Sequence, residues 1–329
     1  MKNISQIFIY FYCFMTEFAQ SSIHYSVLWQ ESAEFLDIKN SQYHIDATLG
    51  MGGHVEYFFS QNKNLHVLGF DQDENARKIA KKRLNTFIVN NQLKIIPENF
   101  KKLKEICLEK KFKPTSLLFD IGVSSLQFDD GDRGFSFRFD APLDMRMNQS
   151  DTLTAKEIIN NWTQEELQNI FYVYGEEKHA YLITKKIVQQ REIKQFETTV
   201  ELAEFIVSIK PFSKKKIHPA ALVFQALRIA VNKELEVLET AVHQAVEILQ
   251  KGGRLAIITF HSLEDRIVKN VLDQYISKEK VNKYKNNENL ESRFCLKKIN
   301  KKPIIPSKKE QDENSRSRSA KMRVVEKIL

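Results

Sequence analysis

The sequence predicts an α/β fold in which a mostly parallel sheet is interrupted, after its fourth strand, by an all-helical insertion. Residues 43–73 run through a short apolar segment, a glycine-rich turn, a helical segment and a second apolar segment, the order of a βαβ unit. Residues 254–260 are almost continuously apolar, which is typical of a strand buried on both faces of a parallel sheet. Between them, Thr154, Thr163 and Thr198 each stand three residues before a glutamate, the capping-box signal of a helix start.

The composition is that of an ordinary globular protein with a basic balance. The chain of 329 residues is 42% hydrophobic and 28% charged, and its net charge is +8. The length favours about two domains, and the charge favours a polyanionic partner, although excess charge often serves only solubility. Cys13, Cys107 and Cys295 are far apart, which argues against a disulfide framework and a zinc site and favours a reducing cytoplasm. We expect no bound metal.

The first residues do not predict a folded element. We interpret residues 1–22 as a disordered extension. The apolar run at 7–15 is too short to span a bilayer, and no convincing cleavage site of a signal peptide follows it. This pattern favours the hypothesis that translation begins at Met15.

The βαβ unit around the glycine-rich turn is the candidate ligand site. A strand at residues 43–47 leads into the glycine turn at 50–54, a helix at 55–61 and a strand at 65–70 that ends at Asp71. Glycine lets the backbone approach a ligand, and the helix start offers free N–H groups. An acid at the tip of the second strand can bind a ribose diol.

The charge around this turn favours a methyl donor over a dinucleotide. A dinucleotide-binding turn follows G-x-G-x-x-G, but counting from Gly50 the third glycine position holds Val55. Asp46 precedes the turn, where a carboxylate repels a pyrophosphate and suits a cationic group. S-adenosylmethionine carries an ammonium and a sulfonium and no phosphate, so we favour it over NAD. The spacing from Gly50 to Asp71 keeps NAD open, and a glycine turn without a ligand is the third alternative.

The next segments bring further side chains to the same edge of the sheet. A helix is predicted at residues 74–85 and a strand at 93–96, after which Phe100 either stacks on an adenine or lies at the edge of the core. A basic helix at 101–111 and a strand at 117–120 follow.

The fourth strand ends in Asp120 and is followed by a long irregular segment. Residues 128–146 mix acidic, arginine, phenylalanine and glycine residues, and long loops of this kind are usually functional or mobile. A calcium loop is excluded because Gly131 and Arg133 occupy positions that require oxygen side chains.

The second half of the chain predicts the insertion and the return to the sheet. A helix follows each capping signal, and another is predicted at residues 177–191. The lysine run at 214–216 is either a contact with RNA phosphate or a solvated loop. The remaining elements are one long helix at 220–250, a strand at 254–260, a helix at 264–275 and two closing strands at 294–299 and 322–328.

The strand ends together define one candidate site. Parallel strands place their carboxyl ends at one edge, where the ligands of open α/β sheets bind. His261 follows the strand at 254–260, so it is a candidate catalytic residue, with a structural histidine at a strand end as the alternative. The elements predict a Rossmann-like sheet with its site at this edge.

Longer motifs resemble those of one bacterial enzyme family. From residue 24 onward, the chain resembles the small-subunit rRNA cytosine-N4 methyltransferases (RsmH, also called MraW). The matching stretches are HYSVLWQES, DATLGMGGH, FDQD, FDIGVSSLQFDDGDRGFSFRFDAPLDMRM, YGEEKHA, HPAALVFQALRIAVNKEL, GGRLAIITFHSLEDRIVK and SRSRSAKMR. The chain departs from the family pattern only mildly, in the extension and at Ile121.

The resemblance implies a class I S-adenosylmethionine-dependent methyltransferase, with S-adenosylmethionine as the donor and no metal. It implies that the enzyme methylates the exocyclic N4 of one cytidine, cytidine 1402 in the family, in 16S rRNA of the small ribosomal subunit. It also implies a cytoplasmic enzyme without a membrane partner, and it leaves a homodimer open. The donor-binding positions of the family fall on Gly52, Gly53, His54, Asp71, Phe100, Asp120 and Gln127.

Asp120 and His261 are the candidate catalytic residues. Asp120 ends the fourth strand, where enzymes that methylate amino groups commonly place an acid-led loop between donor and base. The family assigns Asp120 to the donor, so a role towards the base is a separate hypothesis. We expect His54 to orient the donor loop.

The predicted organisation has four parts. After the extension at 1–22 come the first part of the methyltransferase core at 23–140, the helical substrate-recognition domain at 141–218 and the second part of the core at 219–329. Three alternatives stay open at this point: an NAD-linked oxidoreductase, a non-catalytic RNA-binding assembly factor, and a methyltransferase that acts on DNA or protein.

Overall fold

A seven-stranded sheet forms the centre of the protein. The computed structural model describes residues 26–123, 131–210, 218–276 and 295–329. The strands are β1 (Tyr43–Asp46), β2 (His66–Phe70), β3 (Leu93–Ile96), β4 (Ser116–Asp120), β5 (Arg254–Thr259), β6 (Leu296–Lys298) and β7 (Lys321–Lys327). Their order is β3-β2-β1-β4-β5-β7-β6, with β1 to β5 parallel, β7 antiparallel to β5, and β6 antiparallel to β7. This topology confirms the predicted Rossmann-like α/β fold.

Helices connect the strands and cover the sheet. They are α1 (Trp29–Phe35), α2 (Gly53–Gln61), α3 (Glu74–Arg83), α4 (Asn85–Val89), α5 (Leu103–Glu109), α6 (Ala155–Asn161), α7 (Gln164–Val173), α8 (Ala180–Arg191), α9 (Thr199–Ile209), α10 (Ala221–Asn232), α11 (Glu234–Ile248), α12 (Ser262–Gln274) and α13 (Lys308–Glu313). None of the helices in the described ranges combines the length and apolar character that crossing a bilayer requires. The predicted extension at 1–22, the lysine run at 214–216 and Gln127 lie outside the described residues.

Each face of the sheet is covered by its own hydrophobic cluster. Leu117 and Phe119 of β4 enter one cluster together with residues of α5, α11 and α12. Leu118, between them, enters the other cluster together with residues of α1, α2 and α3. This alternation explains why the parallel strands are continuously apolar in sequence, since both faces are buried.

A third hydrophobic cluster holds the helices inserted between β4 and β5. It contains residues of α6 to α10 and extends from Phe135 to Val231. Thr163 and Thr198 form the predicted reciprocal capping boxes at the starts of α7 and α9, whereas Thr154 accepts one N–H bond without the reciprocal contact. The cluster reaches beyond residues 141–218 on both sides, and those domain boundaries stay a prediction.

Two of the predicted helices are each broken into two. The single helix predicted at residues 220–250 is wrong: α10 ends at Asn232, and Lys233 adopts a left-handed conformation with φ of 51° before α11 begins. The helix predicted at 74–85 ends at Arg83, and the chain turns at Leu84 into α4. Continuous apolar spacing concealed both breaks, because spacing records burial and not backbone direction.

A buried arginine ties the irregular segment after β4 to the sheet. Arg133 is only 4% exposed and lies 3.1 Å from the carboxylate of Asp73, which also caps the start of α3. The same guanidinium donates to the carbonyl oxygens of Arg146 at 2.8 Å and Met147 at 3.2 Å. Losing one partner of a buried ion pair is strongly destabilising, so this contact fixes the segment beside the β2 tip.

Polar contacts at two other places hold the helical unit against the core. The side chain of Asn232 donates to the carbonyl of Met145 at 2.8 Å and accepts the N–H of Met147 at 2.8 Å. Glu176, between α7 and α8, accepts hydrogen bonds from Ser262 at 2.8 Å and Arg266 at 3.0 Å on α12. The insertion is therefore attached to the edge of the sheet where the strands end.

The glycine after Arg133 provides a test of this attachment. Gly134 has φ of +71°, and a Cβ there would lie 2.3 Å from the carbonyl oxygen of Pro142. Gly252 has a similar φ of +78° but nothing within 4 Å. We expect Gly252→Ala to cost about 1 kcal/mol through backbone strain alone, and Gly134→Ala to cost at least about 3 kcal/mol. Urea unfolding of both variants measures the difference, and equal losses would contradict the close packing at Gly134.

Candidate active site

A cavity of about 420 Å³ opens at the carboxyl ends of the central strands. Its size lies within the range of small-molecule sites. Residues that follow β1, β2, β4 and β5 line it, together with the segment after β3, α10 and the C-terminal segment. It is thus at the edge where the sequence predicts the site.

The glycine-rich loop shapes one wall of the cavity. Gly50 has φ of +53°, lines the cavity, and has room for a ligand beside its α-carbon. Gly52, with φ of +82°, caps the start of α2 and does not line the cavity; a Cβ there would lie 2.6 Å from Leu84. Gly53 lines the cavity, and its Cβ would lie 2.4 Å from the hydroxyl of Ser26.

Asp71 holds this loop in place. Its carboxylate accepts the N–H of Gly50 at 2.7 Å and the N–H of Asp73 at 2.8 Å. Its position inside the cavity removes it from bulk water, and this desolvation raises the pKa of Asp71 to about 6 in spite of both bonds. The acid therefore organises the loop and presents negative charge to the cavity.

Asp46, His54 and Asp120 form a second polar cluster behind the loop. Asp46 is 1% exposed and His54 is 4% exposed. The Nε2 atom of His54 lies 3.4 Å from Oδ2 of Asp120. Thr48 connects the two acids, since its N–H donates to Asp46 at 3.0 Å and its hydroxyl accepts the N–H of Asp120 at 2.7 Å. His54 and Asp120 line the cavity, whereas Asp46 lies behind them.

Phe100 has a position that fits both interpretations of it. Its ring packs edge-to-face against Phe119, with centroids 5.5 Å apart, at the edge of the core. It also lines the cavity, next to Asn99, whose side-chain amide donates to Gln72 at 2.8 Å. Contact with a ligand base stays a prediction.

The structure places His261 at the cavity as the cap of α12. Its Nδ1 accepts the N–H of Glu264 at 3.4 Å, and its Nε2 lies 2.9 Å from the carboxylate of Glu264 without hydrogen-bond alignment. Both ring nitrogens thus face Glu264. This geometry favours the structural alternative, and a catalytic role stays a prediction.

Glu264 is the buried centre of this corner. Its carboxylate accepts the N–H groups of Phe260 at 2.8 Å and His261 at 3.2 Å. Burial alone would raise the pKa of Glu264, but the contacts with His261, Arg228 and the Phe260 N–H outweigh burial and lower it. The carboxylate therefore stays ionised and holds the loop after β5.

The sequence analysis missed several residues that line the cavity. Arg228 of α10 lies there and donates to Glu234 at 2.8 and 2.9 Å. Its signal was a lone arginine in an otherwise apolar helix. Asn314 and Arg316 reach the cavity from the C-terminal segment, and no local pattern indicated them. Among the described residues, no group of three or more His, Cys, Asp or Glu side chains could hold a metal ion.

Comparisons with known proteins give a consistent result. The model of the MraW methylase family matches residues 21–328. The ribosomal RNA small subunit methyltransferase H of Oenococcus oeni is 46% identical over 310 residues, which cover 92% of this chain and 98% of that protein. Its counterpart in Streptococcus mutans is 44% identical and covers 93% and 98%. The structure of an rRNA methylase from Streptococcus thermophilus covers 92% of this chain and 94% of that one, but its TM-score of 0.41 at 12% identity carries no argument.

Burial of Asp46 makes the stability of the protein depend on pH. Burial raises the pKa of Asp46 from 3.8 to about 6, so the folded state binds this proton more tightly than the unfolded state does. The contribution of Asp46 to stability therefore falls as the pH rises from about 4 to about 6. We expect Asp46→Asn to be more stable than the wild type at pH 7.5 by on the order of 2 kcal/mol, with the advantage shrinking towards pH 4.

Urea unfolding between pH 4 and pH 8 measures this advantage. The matched control is Asp312→Asn, because Asp312 lies exposed on α13. An advantage of Asp46→Asn that is the same at every pH would show that ionisation of Asp46 is not its source.

Proposed function

The chain belongs to the MraW methylase family, and we propose that it transfers a methyl group from S-adenosylmethionine to the exocyclic N4 of one cytidine in 16S rRNA. The cytidine that the family resemblance implies is number 1402. We place the reaction in the cytoplasm, with the small ribosomal subunit as partner. The printed names of the relatives, ribosomal RNA small subunit methyltransferase H, support this substrate class.

The single observation that carries the choice of donor is the charge around the glycine-rich loop. Asp46, Asp71 and Asp120 stand at the ends of three neighbouring strands, and the pKa of Asp46 is raised by the nearby charges of the other two as well as by burial. A pyrophosphate placed in this loop would meet three carboxylates at short range, where repulsion is strong. A donor with an ammonium and a sulfonium would be attracted instead.

The residues of the cavity fit such a donor. Gly50 leaves open space beside its backbone, and Asp71 lies next to it with a carboxylate that can also accept from a ribose hydroxyl. Phe100 offers an aromatic surface at the end of β3. We assign donor binding to Gly52, Gly53, His54, Asp71, Phe100 and Asp120, and to Gln127 by the family resemblance.

When bound, S-adenosylmethionine supplies an electrophilic methyl group on a sulfonium. The protein's own part is then to align a nitrogen nucleophile with that methyl group, since most of the acceleration in such a transfer comes from proximity and orientation. Asp120 stands at the tip of β4 on the cavity wall, where its carboxylate can accept a hydrogen bond from the amino group. That bond would increase the availability of the nitrogen lone pair.

The helical unit would hold the RNA around the target base. A stacked cytidine must be flipped out to reach the cavity, at a cost of a few kcal/mol. The net charge of +8 favours binding of the surrounding phosphates. We keep residues 23–140 and 219–329 as the methyltransferase core and 141–218 as the substrate-recognition domain in this proposal. A homodimer stays open.

A methylation assay tests donor, base and reaction together. Unmodified small subunits are incubated with labelled S-adenosylmethionine, and the RNA is digested for mass spectrometry of its nucleosides. We expect N4-methylcytidine with the wild type and a loss of at least about 100-fold with Asp71→Ala, because the loop loses both N–H acceptors and the donor loses its ribose partner. Asp312→Asn serves as the control and should retain wild-type activity.

Calorimetric titration separates the possible failures of this assay. Binding of S-adenosylmethionine without label on the RNA would move the substrate to DNA or protein. Binding of NAD alone would reverse the choice of donor. Binding of RNA with neither ligand would indicate an assembly factor.

A further inference from the structure

Unpartnered polar atoms concentrate at one place behind the cavity wall. Five buried atoms there have no hydrogen-bond partner within the protein: Nε2 of His44, Oδ2 of Asp46, Nδ1 and Nε2 of His54, and Oδ1 of Asp120. Buried polar groups are normally paired, because an unpaired one costs about 1–3 kcal/mol. Such a concentration is expected where groups exchange protons or bind a ligand.

The four side chains occupy successive depths from the cavity. Asp120 is on the wall and is the most exposed of them, with 23% of its side chain accessible. His54 follows, 3.4 Å from the Asp120 carboxylate. Asp46 is almost wholly buried and does not reach the cavity. His44 lies two residues earlier on β1 and is bound through Nδ1 to the hydroxyl of Ser116 at 2.8 Å.

The charges that face His54 come from several elements. Protonated His54 lowers the pKa of both Asp46 on β1 and Glu310 on α13, although burial raises each of them more strongly. By reciprocity, these two carboxylates favour a proton on His54. His44 acts in the opposite sense, since burial and His54 lower its pKa to about 3 and keep it neutral. Asp120 and, beyond Asp46, Asp71 complete the set.

We propose that Asp120, His54 and Asp46 form a proton-accepting line for the methyl transfer, in which the amino group gives its proton through Asp120 to His54 and the buried Asp46 stabilises the imidazolium. The inference rests on the proposed function. The nitrogen lone pair forms the N–C bond while the C–S bond breaks and its electron pair stays on sulfur. The methylated nitrogen then loses one proton to Asp120, and His54 takes that proton from Asp120.

The line gives each member a different role. Asp120 faces the reacting group and is a catalytic residue in this proposal. His54 is buried, so its proton does not return directly to the cavity. Asp46 acts only through His54 and is a positioning residue. A carboxylate behind a histidine that accepts a proton is a recurring arrangement in enzymes, since the buried charge stabilises the imidazolium that forms.

Asp46→Asn separates this role from donor binding and from folding. The substitution keeps the oxygen that accepts the Thr48 N–H and removes only the charge. Single-turnover methylation of small subunits is measured between pH 5 and pH 9, and affinity for S-adenosylmethionine is measured by calorimetry. We expect donor affinity within about twofold of wild type, a plateau rate about tenfold lower, and an acidic limb moved to lower pH by about one unit.

Each result decides the question. An unchanged rate profile in Asp46→Asn with an active wild type would overturn the proton line while leaving the proposed function in place. A loss of donor affinity equal to the loss of rate would assign Asp46 to donor binding and would also overturn it. No methylated RNA from the wild type would overturn the proposed function, and the proton line with it. Asp312→Asn, exposed on α13, should follow the wild-type profile throughout.

Discussion

The site depends on keeping carboxylates out of water at the ends of parallel strands. Taking a carboxylate into a protein interior costs several kcal/mol unless other groups compensate. Here the compensation is partial: Asp71 accepts two backbone N–H groups and Asp46 accepts one, and desolvation still raises the pKa of each to about 6. The negative charge that the protein leaves uncompensated is what a cationic ligand would neutralise.

The same constraint explains how the insertion is attached. Arg133 comes from the segment after β4 and meets Asp73, two residues beyond the acid that holds the glycine loop. A cation buried beside this acidic edge stabilises the edge and positions the insertion in one step. The insertion is therefore fixed relative to the donor cavity by charge, as well as by the apolar contacts of its own cluster. A domain that must present RNA to a small cavity requires this kind of registration.

Much of the fold could be predicted because its signals are local. Parallel strands are short apolar runs, and two of the three threonine signals form full capping boxes. The break at Lys233 could not be predicted, because the Asn232 contacts that support it come from residues 145–147, more than 80 positions away in the chain. For the same reason the C-terminal side of the cavity was missed, since Glu310 accepts the N–H of Leu28 across 282 positions. His261 was recognised as important from its place after β5, but the direction of its ring depends on Glu264, and the usual capping pattern does not include histidine.

The glycines of the loop show how far a motif alone can be interpreted. A glycine-rich turn suggests that every glycine makes room for a ligand, but only Gly50 has open space beside it. Gly52 needs its left-handed conformation and the space taken by Leu84, and Gly53 packs against Ser26. Two of the three glycines therefore serve the close packing of the loop, and the ligand preference of the site comes from the acids around it. This is why Val55 in the third glycine position, together with Asp46 before the loop, was more informative about the ligand than the glycines themselves.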